Sequence, residues 1–194
     1  AGLYRINLDT KEIYRCPSTA NGFEYRPLSN ILHNSWINCL LCSTNDKLYI
    51  GTYDGLGCLD IPTMDFVSTY EINRLLQGDV IYALYEDLHH NIWVGTSQGL
   101  KQLNPQTQKV REYTISDGLP SNSISAIEGD ANGNLWISTN FGISRFNPGT
   151  QTFVNFYASD GLQGNEFSKG VSFASTQGEI IFGSTSGITY FNPG

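Results

Sequence analysis

Hydrophobic positions along the chain fall in short runs, and turn-forming residues separate one run from the next. The stretch "NLWISTNFGISRFNPGTQTF", residues 134–153, is nearly repeated by "NIWVGTSQGLKQLNPQTQKV", residues 91–110. The runs are rich in β-branched and aromatic residues and are bounded by Gly, Asn, Pro or Asp, which is typical of β-strands joined by tight turns. No amphipathic helical period persists for ten residues. The pattern therefore predicts an all-β chain.

One hairpin core occurs four times, as "LYIGTYDGLGCLD", "IWVGTSQGLKQLN", "LWISTNFGISRFN" and "IIFGSTSGITYFN". The central glycines are spaced 44, 43 and 45 residues apart, and a fifth copy is indicated 53 residues earlier at Gly2. These glycines are Gly55, Gly99, Gly142 and Gly187. In the copy from Ser123, strand A is "SISAIEGD", strand B "LWIST", strand C "ISRFN" and strand D "TFVNFY". Four strands in a period of about 43 residues are the signature of a β-propeller.

The predicted fold is a β-propeller of four-stranded antiparallel blades, with about four blades in one domain, residues 1–194. A partial blade spans 1–15, an insert loop 16–35, complete blades 36–70, 80–114 and 123–157, and a last partial blade 169–192. An arc of a seven-bladed ring fits better than a closed four-bladed ring, in which one strand would be redundant. An open arc exposes two apolar blade faces, and these should drive association.

Strand B of each blade is expected to be buried on both faces, because blades stack face to face. An aromatic column runs through the repeats at Tyr49, Trp93 and Trp136, with Ile181 in the last copy. Trp136 is predicted to fill the gap to the next blade, while Leu135 and Ile137 cover the opposite face. The tryptophans are therefore interpreted as packing residues between blades.

Composition excludes some functions. The formal net charge is −7, which disfavours non-specific nucleic-acid binding, and no apolar run approaches the roughly 18 residues of a membrane span. Of four cysteines, Cys39 and Cys42 form C-x-x-C within a predicted strand, where positions i and i+3 point to opposite faces. Buried free thiols are predicted rather than a metal or redox site, and a bridge from Cys16 to another cysteine is left open.

Catalysis is not expected in this chain, and no cofactor or metal is predicted. His89 and His90 lie in a predicted A–B turn, while His33 is alone in its loop. The acidic residues recur in pairs, Asp87 with Asp130 and Asp117 with Asp160. Repetition in several blades indicates turn capping, because one active site needs only one copy.

A ligand is expected at the end of the propeller that carries the B–C turns and the D-to-A connections, since these are the longer and more varied loops. Aromatic rings, amides and carboxylates there suit a sugar, whose CH faces stack on rings and whose hydroxyls form hydrogen bonds. The candidate ligand-binding residues are His33, Asn34, Trp36, Tyr53, Asp54, Gln98, Asn140, Phe141 and Glu166.

The segment 116–148 resembles the two-component regulator propeller repeat. The family's D-G-L-P-x-N motif stands at 117–122, its G-x-L-W-I-x-T-x-x-G-[IL] motif at 133–143, and its closing F-N-P at 146–148. The earlier copy matches less well at Gln77, Gly78 and Asp79. The final copy departs from the pattern with Asn-Glu-Phe at 165–167 and Phe-Gly at 182–183, and looks like the last blade of such a domain.

The resemblance implies the periplasmic sensor ectodomain of a bacterial hybrid two-component system, often specific for oligosaccharides. The partners that it implies are an oligosaccharide ligand, the remaining propeller blades, a downstream immunoglobulin-like domain and a second copy in a homodimer. The full-length protein would carry a histidine kinase. No nucleic-acid partner is expected. Two alternatives stay open. One is a propeller lyase or hydrolase of the streptogramin-lyase type, and the other is a scaffold that binds only protein.

Overall fold

The chain forms sixteen short β-strands in the part that a computed structural model describes, which is residues 4–6, 8–11, 13–15, 36–63, 65–67, 76 and 78–194. The strands are β1 (Tyr4–Ile6), β2 (Ile13–Arg15), β3 (Ile37–Cys42), β4 (Lys47–Thr52), β5 (Gly55–Asp60), β6 (Ile81–Glu86), β7 (Ile92–Thr96), β8 (Leu100–Asn104), β9 (Lys109–Tyr113), β10 (Ile124–Gly129), β11 (Leu135–Thr139), β12 (Gly142–Asn147), β13 (Thr152–Phe156), β14 (Ser172–Ala174), β15 (Ile180–Ser184) and β16 (Gly187–Phe191). Two 3-10 turns, Ile115–Asp117 and Ala158–Asp160, precede the A strands β10 and β14.

The strands pair in sequence order into separate antiparallel sheets, which are the blades of a propeller. A hairpin, β1–β2, precedes blade 1 (β3–β5), blade 2 (β6–β9), blade 3 (β10–β13) and blade 4 (β14–β16). In blade 1 the D position is an isolated bridge between Leu59 and Phe66, and residues 68–70 of the predicted strand D lie outside the described residues. The A strands β3, β6, β10 and β14 contact one another in turn. They therefore form the inner wall of the arc, and the all-β propeller fold is confirmed.

Each junction between neighbouring blades holds its own hydrophobic cluster. Trp93 is fully buried between blades 2 and 3 against Leu135, Ile137 and Phe146, with its ring 5.6 Å from that of Phe146. Trp136 lies between blades 3 and 4, where its ring centroid is 4.5 Å from that of Phe191. The prediction that these two indoles fill the gaps between blades, with Leu135 and Ile137 on the opposite face, is confirmed.

The A–B turns of blades 2 and 3 are held by aspartates, as the repetition of these residues predicts. Asp130 accepts hydrogen bonds from the backbone N–H groups of Asn132 and Asn134 and from the Trp136 indole, the last at 3.0 Å. Asp87 binds the corresponding groups of blade 2, including the Trp93 indole at 2.8 Å. The hydrogen bonds of these carboxylates are therefore used within the turn itself, where they fix its conformation and give each buried indole N–H an acceptor.

The cysteines differ in part from the prediction of buried thiols. Side chains of β3 alternate between the two faces of the strand, so Cys39 is partly buried whereas Cys42 is exposed. Burial raises the pKa of Cys39 to about 12 and that of Cys58 to about 11. The three are free thiols, and Cys16 lies outside the described residues. The prediction is wrong for Cys42, because the alternation along β3 places its side chain on the face that the described residues leave exposed.

Candidate functional site

The B–C turns are built in the same way in all four blades. The last residue of strand B, Thr139 in blade 3, donates a hydrogen bond from Oγ1 to the carbonyl of Gly142 at 3.0 Å and accepts one from the Phe141 amide at 2.9 Å. The equivalent hydroxyls are those of Thr52, Thr96 and Ser184. Because the hydroxyl holds the turn, the two residues before each glycine project from this end of the molecule. Sequence reasoning missed this role, although Thr or Ser stands three residues before every central glycine.

The D-to-A connections lie at the same end and contact the B–C turns. The amide of Gly142 donates to the Asn165 carbonyl at 2.6 Å, and the amide of Gly55 donates to the Asp79 carbonyl at 3.1 Å. Asp117 caps the amide of Thr114 at 2.8 Å, and Asp160 does the same for Tyr157. The predicted turn-capping role of the second aspartate pair is thus confirmed. These bonds give the predicted ligand end a rigid backbone.

Three of the predicted aromatic residues are exposed at this end. The exposed fractions are 66% for Trp36, 46% for Tyr53 and 53% for Phe141. Trp36 and Tyr53 pack edge to face with ring centroids 5.8 Å apart, and Phe141 lies 5.7 Å from the Tyr157 ring. Aromatic rings carry a large apolar area that a ligand or partner can cover. Each pair therefore presents exposed apolar surface at this end of the molecule.

The predicted polar residues divide into two groups. Asp54 accepts the Gly78 amide at 2.8 Å, and Asn140 is bound to the Ser121 hydroxyl at 2.5 Å, so both help to hold the loops. The exposed side chains of Gln98 and Glu166 make no hydrogen bond or ion pair with any described residue. His33 and Asn34 lie outside the described residues. That the described candidates bind a ligand stays a prediction.

Two lysines reinforce this end. Lys101 Nζ lies 2.5 Å from Asp79 Oδ2, and both side chains are buried, so the pair ties strand C of blade 2 to the preceding connection. Lys169 Nζ donates to the Ser123 hydroxyl at 2.6 Å and lies 4.1 Å from the centroid of the Tyr82 ring. Partial burial lowers the pKa of Lys169. Lys169, in the connection that precedes β14, thereby contacts the A strands of blades 2 and 3.

The described histidines lie at the opposite end, in the A–B turn of blade 2. His90 Nδ1 is 3.0 Å from Glu86 Oε1 and 2.9 Å from the Thr44 hydroxyl of blade 1. Within the described part of the chain, no group of three or more His, Cys, Asp or Glu side chains is arranged to hold a metal ion. The described residues also include no helix long and apolar enough to cross a membrane.

The fold and its loop-bearing end define the class of protein: this is a segment of a β-propeller. Residues 118–141 match the sequence profile of the two-component regulator propeller. This match covers the D-to-A connection, strand A and strand B of blade 3. The chain therefore carries a two-component regulator propeller repeat, and the resemblance drawn from its motifs is confirmed. No curated protein matches the chain at a significant level.

Solved structures support the same class. The extracellular domain of the hybrid two-component system BT3049 from B. thetaiotaomicron is 27% identical, with a TM-score of 0.83, and the match covers 100% of this chain and 25% of that one. The corresponding domain of BT4673 from the same organism is 22% identical, with a TM-score of 0.72 and coverage of 97% and 24%. The chain thus resembles extracellular domains of hybrid two-component systems and spans about a quarter of their length.

A propeller enzyme shares the architecture at greater distance. Virginiamycin B lyase from Staphylococcus aureus is 17% identical, with a TM-score of 0.63, and the match covers 98% of this chain and 63% of the lyase. Identity this low shows a common fold and carries no information on activity.

Proposed function

We propose that this chain is part of the periplasmic, ligand-sensing propeller of a hybrid two-component system sensor kinase, and that its ligand is an oligosaccharide. The similarity to BT3049, which extends over the whole of this chain, supports the receptor class and an extracytoplasmic location. On this proposal the chain itself is not an enzyme. Phosphoryl transfer belongs to a histidine kinase elsewhere in the full-length protein.

The observation that carries the ligand class is the set of exposed rings Trp36, Tyr53 and Phe141 at one end of the arc. Sugars are recognised by rings that pack against their CH faces and by amides and carboxylates that bind their hydroxyls. Gln98 and Glu166 supply free polar groups at the same end. The rigid turns beneath these residues lower the entropic cost of binding, because the loop backbone does not have to be ordered when the ligand binds.

The partners follow from the receptor class. The remaining blades of the propeller complete the ring, which we propose to be seven-bladed, and an immunoglobulin-like domain follows it toward the membrane. A homodimer then passes the signal across the membrane when the sugar binds. The lyase alternative is supported only by shared fold, and the described histidines lie at the end away from the exposed rings.

Binding to an array of neutral and acidic oligosaccharides from plant and host glycans, followed by calorimetry on the best ligand, tests the proposal. Phe141→Ala and Tyr53→Ala should each weaken binding about tenfold, since an aromatic contact is worth about 1 kcal/mol or slightly more. Val154→Ala is the control, because Val154 is 42% exposed in strand D of blade 3, away from the exposed rings.

Two results would contradict this function. One is a folded chain that binds no oligosaccharide on the array, and the other is binding that Phe141→Ala and Tyr53→Ala leave unchanged. Release of a cleaved product during the titration would favour the lyase alternative instead.

A further inference from the structure

A cleft opens between blades 2 and 3 at the end of the molecule opposite to the exposed rings. Its volume is about 390 Å³, within the range of small-molecule sites, and it lies between the A–B turns of both blades and the C–D turn of blade 3. Tyr85, His89 and Gln102 line it from blade 2, and Asn147 and Pro148 line it from blade 3.

The cleft exists because a bridge found at the preceding junction is missing here. Between blades 1 and 2, the amide and hydroxyl of Thr44 donate to the carboxylate of Glu86 at 2.8 and 2.7 Å, and His90 closes the network. The strand registers make Gly129 the counterpart of Glu86, since each is the last residue of its A strand to pair with strand B. Gly133 likewise replaces His90. Two glycines thus remove the side chains that seal the other junction.

One of these glycines is needed for the shape of the cleft. A Cβ at Gly129 would lie 1.9 Å from the hydroxyl oxygen of Tyr85, so only glycine lets this phenol reach the cleft. The Tyr85 hydroxyl makes no hydrogen bond to any described residue. The pKa of Tyr85 is raised, first by burial and then by the carboxylates of Glu128, Asp87 and Asp130. The described lining of the cleft includes the carboxylate of Asp87 and no Lys or Arg side chain.

The remaining polar side chains of the cleft are of two kinds: some are hydrogen-bonded within the protein, and others have no partner among the described residues. Asn147 donates to the side-chain carbonyl of Asn134 at 3.0 Å, and Asn134 donates to Asp130 at 2.9 Å, which forms a rigid amide rim. The side chains of Gln102 and His89 have no hydrogen-bond partner among the described residues. With Tyr85 they supply an amide, an imidazole and a phenol that can form hydrogen bonds with a ligand. Pro148 and the exposed Leu88 add apolar surface at the mouth.

We infer that this cleft is a second binding site and that it takes a small neutral saccharide, of one or two sugar rings. Hydroxyls that donate and accept match the amide, phenol and imidazole, and a CH face matches Pro148 and Leu88. An uncharged ligand suits this lining, whose described residues hold no Lys or Arg to pair with an anion. The site does not depend on the proposed sensor function, because it shares no residue with the exposed rings at the other end. A ligand held between two blades would also fix their relative angle.

The test is NMR on the 194-residue chain, titrated with D-glucose, D-galactose, L-arabinose and cellobiose, with D-glucuronate as the anionic comparator. At least one neutral sugar should shift the ring signals of His89 at concentrations up to about 50 mM, where a millimolar site is filled. Gln102→Leu and Tyr85→Phe should each weaken that binding about tenfold, roughly the effect of one hydrogen bond to a partly buried group. Gln106→Leu, at an exposed position of the neighbouring C–D turn, should leave it unchanged.

Three outcomes would overturn the inference. They are the absence of any His89 shift with all four neutral sugars, stronger binding of glucuronate than of every neutral sugar, and shifts of the Trp36 indole without shifts at His89. The last outcome would place the sugar at the opposite end and would support the proposed sensor function while removing this second site. The wild-type spectra decide between them even if a variant fails to fold.

Discussion

At the residue scale, each buried indole of this chain is paired with one aspartate. Trp93 donates to Asp87 and Trp136 to Asp130, across the same six-residue separation. In blades 1 and 4 the aspartate position is Ser43 or Ser175, and the tryptophan position is Tyr49 or Ile181. A buried N–H without an acceptor is costly, and a carboxylate without donors is equally so. Carboxylate and indole therefore change together from blade to blade.

Asp130→Ala should lower the free energy of unfolding by about 2 kcal/mol, since it strands the Trp136 indole and the Asn134 side-chain amide. Urea denaturation followed by tryptophan fluorescence measures the loss. Asp65→Ala is the control, because Asp65 is exposed and its carboxylate makes no hydrogen bond to a described residue. Equal stability of the two variants would show that the capping network contributes little.

The same aspartate gives this effect a pH dependence. Burial alone would raise the pKa of Asp130, but hydrogen bonds from Asn134 and Trp136 outweigh it and hold the pKa below the ordinary 3.8. A lowered carboxyl pKa adds stability that is present above 3.8 and is lost as the pH falls through the folded-state value. The stability difference between the wild type and Asp130→Ala should therefore shrink below pH 3.8. A difference that stays constant down to acid unfolding would contradict this assignment.

At the element scale, the B–C hairpin is the most regular part of the molecule. The hydroxyl at the end of strand B and the glycine three residues later recur in every blade, and the glycine takes a positive φ, +98° in Gly142. A Cβ at Gly142 would also lie 2.5 Å from the carbonyl oxygen of Phe156 in strand D. The glycine thus allows both the turn and the close approach of the outer strand.

Gly142→Ala should destabilise the chain by about 1–3 kcal/mol, because alanine is strained at this φ and meets backbone that cannot move aside. Thermal unfolding measures the effect. Gly164→Ala is the matched control, since the nearest atom to a Cβ there is the Ser186 hydroxyl at 3.7 Å and the change should fall within about 0.5 kcal/mol. A Gly142→Ala variant as stable as Gly164→Ala would mean that the hairpin relaxes without cost.

Elements could be predicted from the sequence where their cause is local. The period of the repeat, the hairpin glycines and the capping aspartates all act within a few residues of their own position, so the printed sequence contains what is needed. Exposure of Cys42 could not be predicted, because it depends on what lies opposite β3. The cleft could not be predicted either. The effect of Gly129 becomes visible only when its blade junction is compared in three dimensions with the junction that holds Glu86. The candidate rings were found because turn residues of a propeller are exposed by topology.

At the scale of the whole molecule, the outer face of blade 4 departs from the other blade faces. Strand alternation places Ile180 and Phe182 toward blade 3, where they are buried against Trp136. The opposite face carries Phe173, Ile188 and Tyr190, which are 60%, 66% and 64% exposed. Contiguous apolar surface of this kind is rare on a soluble monomer. The face carries aromatic and aliphatic side chains like those that pack between the other blades, so we propose that another blade covers it.

In a solution of this chain alone, the available cover for that face is a second copy, so the chain should associate as its concentration rises. Sedimentation velocity over a concentration series measures this. Ile188→Lys should weaken association at least about tenfold, because burying an unpaired ammonium in an apolar contact costs more than the roughly 1.4 kcal/mol that a tenfold change requires. Ile115→Lys, which changes a residue 57% exposed in a 3-10 turn, should leave association unchanged. A wild-type chain that stays monomeric at every concentration, or two lysine variants that behave alike, would show that this face is not an unfilled blade junction.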